Sequence, residues 1–86
     1  MGSVAVTLKV MPEGIEVDLE ALKASVRKAL GSSFRTLEER PVAFGLRAIH
    51  AVAIVDDAAG GSEPLEQALS AIPGVSSVET LDVGLV

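Results

Sequence analysis

The chain contains no cysteine, no tryptophan and no tyrosine. Without cysteine there is no disulfide framework, no thiolate metal site and no cysteine nucleophile. Phe34 and Phe44 are the only aromatic residues among 86. The core therefore has to be built from Val, Leu, Ile and Ala, which pack well but provide few large anchors. Long apolar runs are missing too. The longest, Ala48 to Val55, is broken by His50 and falls far short of the roughly 20 residues a membrane-spanning helix needs. Met1-Gly2-Ser3-Val4 has no basic stretch and no apolar run behind it, so no signal peptide is expected. Val6 stands where a myristoylation start carries Ser or Thr.

Basic residues are absent beyond Arg47. Residues 1–47 hold seven basic and six acidic groups, a net of +1. Residues 48–86 hold Asp56, Asp57, Glu63, Glu66, Glu79 and Asp82 unopposed, a net of −6 within the total of −5. A protein that tracks phosphates needs the opposite balance, so no direct nucleic-acid partner is expected. An acidic half suits a basic protein partner and equally suits a solvated surface that maintains solubility.

What is present reads as one globular domain, residues 1–86, with 49% hydrophobic and 22% charged residues. Val4, Val6, Leu8 and Val10 alternate with Ala5, Thr7 and Lys9, predicting a strand over 3–10 with one buried face. Pro12 and Gly14 mark a loop. Asp18 is placed as a helix N-cap, Leu19, Leu22, Val26 and Leu30 form one helical face, and Gly31 suits the position just past the end. Residues 34–40 read as a polar edge strand, Phe34, Thr36 and Glu38 alternating with Arg35, Leu37 and Glu39. Leu46 to Val55 is apolar on both faces, as a central strand is. A connection from Asp56 to Gly61 leads to Ser62, a second N-cap, and to a helix carrying Leu65, Ala68, Leu69 and Ile72, stopped by Pro73-Gly74. Val75 to Val83 is the last strand, with Val78 on one face and Leu81 and Val83 on the other. The order β-α-β-β-α-β predicts an α+β ferredoxin-like sandwich: a four-stranded antiparallel sheet, strands 1 and 3 central, both helices on one face, and Ala5, Thr7 and Lys9 on the bare face.

Groups for chemistry are few. His50 is the sole histidine and lies in an apolar strand, so a Ser-His-Asp arrangement would depend on it alone. Asp56, Asp57 and Glu63 lack the spacing of a calcium loop, and Gly60-Gly61 lacks the Lys-Ser/Thr of a phosphate loop. The ferredoxin-like fold hosts many functions. The segment after strand 1, Met11 to Glu16, has no basic anion cradle, which disfavours an acylphosphatase. The missing cysteines disfavour a metal carrier, and strands 1 and 3 have no aromatic platform for stacking RNA bases. No enzyme, metal or cofactor is expected. One segment stands out, Pro41-Val42-Ala43-Phe44-Gly45-Leu46. A Phe at a strand connection is either a protein-docking anchor or a lid folded back on the core, and composition does not separate the two.

Several pieces then share an order and spacing: Lys9-Val10-Met11-Pro12-Glu13, Val17-Asp18-Leu19-Glu20, Pro41 to Leu46, Gly60-Gly61-Ser62-Glu63 leading to Glu66 and Leu69, Gly74-Val75, Ser77-Val78-Glu79, and Asp82-Val83. Over essentially its whole length the chain resembles archaeal elongation factor 1-beta. The resemblance implies a bare ferredoxin-like domain, cytoplasmic, that exchanges GDP for GTP on the elongation factor 1-alpha GTPase without cofactor or membrane. It implies partner contacts at Ala43, Phe44 and Gly45 and at the C-terminal Leu85 and Val86. Relatives commonly carry a basic residue at that end, where this chain has Gly84-Leu85-Val86, so the weight falls on the turn. The alternative is a small-molecule-sensing or regulatory domain that dimerises through its bare sheet face.

Overall fold

A computed structural model describes residues 2–56 and 63–85. The elements are β1 (Ser3–Pro12), α1 (Leu19–Leu30), a 3-10 turn (Gly31–Ser33), β2 (Phe34–Pro41), β3 (Arg47–Asp56), α2 (Glu63–Ser70) and β4 (Val75–Leu85). The strands form one antiparallel sheet in the order β2-β3-β1-β4. This is the ferredoxin-like arrangement, with the two most apolar strands in the centre.

Strict alternation decides which face of β1 is buried. Val4, Val6, Leu8 and Val10 are buried, and Ala5, Thr7 and Lys9 lie on the opposite face, partly exposed. Ile49, Ala51 and Ala53 of β3 join them, and Leu22, Val26 and Leu30 of α1 with Leu69 of α2 close the core from above. The core is aliphatic throughout. Phe34 only packs at its margin, with the Arg27 guanidinium 6.0 Å from its ring centre.

Helix α1 starts and stops where local chemistry directs. The Asp18 carboxylate accepts from the Glu20 and Ala21 amides at 3.0 and 3.4 Å, satisfying first-turn donors that have no partner within the helix. Arg27 and Lys28 sit in the last turn, and Gly31, at a φ of 57°, donates its N–H to the Arg27 carbonyl. Lys23 ties the helix to β2, reaching Glu39 at 2.5 Å and Glu20 at 2.7 Å.

Four expectations change. Strand β1 runs on through Pro12, which pairs with Val75 of β4 after the pairing with β3 has ended at Val10 and Ile49. In β2 a register shift between Phe34 and Thr36 parts those two residues, so Phe34 and Leu37 both pack against the core. In β4 the extra residue is Leu81: Leu8 pairs with Thr80 and Thr7 with Asp82. This bulge inverts the alternation, so Val83, opposite Val6, shares the core-side face with Val78, opposite Val10. Helix α2 ends at Ser70, and Ile72 reaches the core through a turn in which its N–H donates to the Leu69 carbonyl at 3.1 Å. The expected N-cap Ser62 and the Asp57 to Gly61 part of the connection lie outside the described residues.

Candidate functional site

The β2–β3 connection is a reverse turn. Leu46 donates its N–H to the Ala43 carbonyl at 2.9 Å, and Val42 donates to the Leu46 carbonyl at 2.9 Å. The central residues Phe44 and Gly45 both have positive φ, 54° and 81°. That is the signature of a type I′ turn, whose twist matches the flanking strands and whose central positions favour Asn, Asp and Gly. Gly45 meets the requirement; Phe44 does not. Its ring is 97% exposed. Of the two readings of Phe44, the lid on the core is therefore wrong: the ring projects into solvent from the tip of a closed turn.

Two further apolar side chains lie at this end of the molecule. Val42 is 45% exposed at the base of the turn, and Ile15, in the β1–α1 loop, is 70% exposed. Ile15 Cγ2 stands 3.6 Å from the point a Cβ on Gly45 would occupy. Val42 belongs to the segment Pro41 to Leu46 that stands out in the sequence, whereas Ile15 lies outside it. Ile15 has one signal in the sequence, an apolar residue between Gly14 and Glu16 in the loop that Pro12 and Gly14 mark.

Ala43, Phe44 and Gly45 share the turn, and Leu85 does not. The pairing places Arg47 beside Pro41 at one end of the sheet, while Val55 and Leu85 both flank Val4 at the other. Eight residues of strand between these levels amount to about 26 Å, along a molecule 42 Å in its longest dimension. Leu85 is 82% exposed there; Val86 lies outside the described residues.

His50 lies on the bare sheet face in a cross-strand row Glu38–His50–Lys9–Glu79. Burial first, then the Arg40 and Lys9 charges, push its pKa down against the opposing pull of Glu38. Among the described residues, no group of three or more His, Asp or Glu could hold a metal ion, and no helix is long and apolar enough to cross a membrane. A shallow cleft of about 570 Å³ between α2 and β4 is lined by Glu63, Glu66, Gln67, Ser70 and Val78, and Thr80 donates to the Glu66 carboxylate beside it.

Comparison with known proteins gives this surface its context. Residues 5–86 match the family described as the EF-1 guanine nucleotide exchange domain. The chain is 49% identical to elongation factor 1-beta of Methanosphaera stadtmanae over 84 residues, covering 96% of each chain. It is 48% identical to that of Methanococcoides burtonii, covering 98% of this chain and 97% of the relative. With that of Methanoculleus marisnigri it shares 46% identity over the full length of both. A match of this extent in fold and sequence sets aside the small-molecule-sensing alternative, whose dimer face would also have to bury the charged row through Lys9 and His50. The chain belongs to the elongation factor 1-beta family, and its residues 5–86 match that family's guanine-nucleotide exchange domain.

Proposed function

We propose that this exchange factor opens the nucleotide site of the elongation factor 1-alpha GTPase mainly through the turn Ala43-Phe44-Gly45. The observation that carries the reading is the Phe44 ring, wholly exposed on a residue held at positive φ. A left-handed conformation in a bulky residue carries a local energetic cost and persists where the surrounding structure imposes it, most often at functional sites. Here two hydrogen bonds and Gly45 impose it.

The work required is binding work. A factor that binds the nucleotide-free GTPase more tightly than the GDP form weakens GDP by the same ratio. No bond is made or broken, so the chain needs shape and apolar contact rather than an acid, a base or a nucleophile. The Leu85–Val86 end is read as a second, separate contact. About 26 Å of strand lies between the two, so a partner that meets both must span the length of the sheet. The partner is a protein, with no direct contact to nucleic acid or membrane, and the setting is the cytoplasm.

The test is release of fluorescent GDP from elongation factor 1-alpha, followed by stopped flow with and without the chain. The expected result is acceleration that saturates at micromolar concentrations of the chain. No acceleration there would contradict the assignment.

A further inference from the structure

We propose that Ile15 is a second docking residue for the GTPase, forming with Phe44 a single apolar surface built from two loops. The inference rests on the reading of Phe44 as a docking residue and extends it to a part of the chain far away in sequence. Ile15 is 70% exposed, yet its loop is pinned at both ends. Glu13 donates its N–H to the Gly74 carbonyl at 2.9 Å, and Val17 donates to the Gly14 carbonyl at 3.3 Å while its side chain packs on the core. An exposed isoleucine on a pinned loop contributes little to the fold, but it loses little conformational freedom when a partner covers it.

The approach of Ile15 to Gly45, with Cγ2 3.6 Å from where a Cβ on that glycine would stand, makes one surface out of the two loops. Ile15 Cγ2 reaches the open side of that glycine, so the aliphatic side chain lies beside the turn that presents Phe44, with Val42 at its base. A GTPase that receives the Phe44 ring thereby meets Ile15 in the same encounter. The complementary surface is an apolar pocket for the ring with a shallow aliphatic shelf next to it. The exposed Glu13 and Glu16 flanking Ile15 favour basic side chains at the rim of that shelf.

The experiment titrates the wild-type chain, Ile15→Ser, Ile15→Met and Phe44→Ala against elongation factor 1-alpha loaded with fluorescent GDP. It reads the concentration giving half-maximal release, together with each variant's melting temperature. Burial of one aliphatic side chain predicts that Ile15→Ser raises that concentration about tenfold or more, with the melting temperature of the wild type. Ile15→Met keeps the apolar area and should stay within about threefold. If Ile15→Ser titrates as the wild type while Phe44→Ala is impaired, this inference is overturned and the role of Phe44 stands. If both titrate as the wild type, both ideas fall. Impairment of Ile15→Ser alone would overturn the shared surface and with it the role of Phe44. A lowered melting temperature in Ile15→Ser, or equal impairment of the Ser and Met variants, would make Ile15 a structural brace and overturn the docking role.

Discussion

At Phe44 the chain accepts two unfavourable conditions together, a bulky residue at positive φ and a ring in water. The first costs about 1–2 kcal/mol for a residue with a Cβ. Asn tolerates the left-handed region far better, so Phe44→Asn should raise the unfolding free energy by up to about 1 kcal/mol. Urea denaturation would show this as a higher midpoint at unchanged slope. Phe44 was conspicuous in the sequence because the chain has so few aromatics. Its direction was not, since a ring at a turn can lie inward or outward and only its exposure in the folded structure decides. Ile15 was harder to see. A single exposed isoleucine is ordinary, and it gains meaning only from its place beside Gly45, a residue of another loop.

Among the elements, those governed by local rules were legible. The period of two in β1, the Asp18 cap and Gly31 each act over a few residues, and each appears where the pattern placed it. The faces of β2 and β4 were not, because each contains a register shift against its neighbour. A strand's own alternation records which side chains are apolar, but it cannot report an extra residue relative to a partner strand. The tether between α1 and β2 yields a test at this scale. The hydrogen bond from Lys23 lowers the Glu39 pKa, burial opposes it, and the charges of Lys23 and Arg47 add to the lowering. A carboxylate whose folded pKa is depressed contributes stability above its unfolded value, about 4.3, and loses it as pH falls through the lower folded value. Thermal melts from pH 7 to 2 should therefore show wild type above Lys23→Met near neutrality, with the gap closing below about pH 4. A gap that persists to pH 2 would mean the lysine acts through its aliphatic stem.

For the whole molecule, the aliphatic core and the aromatic tip serve separate ends. Leu8 is fully buried and central to the cluster. Leu8→Ala should cost about 2–5 kcal/mol, a large part of the roughly 5–15 kcal/mol that holds a domain folded. Calorimetry should record a much lower melting temperature, and exchange should be lost only as the fraction folded falls. Phe44 is predicted to behave in the opposite way, because it lies outside the core and at the end of the sheet remote from Leu85. The most direct measurement is the rate of GDP release from elongation factor 1-alpha promoted by Phe44→Asn, taken alongside that variant's denaturation midpoint. An exchange factor that works through its aromatic turn should give a protein at least as stable as the wild type that accelerates release at least tenfold less, the loss expected when one buried anchor is removed from an interface. Release at the wild-type rate from a folded Phe44→Asn would contradict that account.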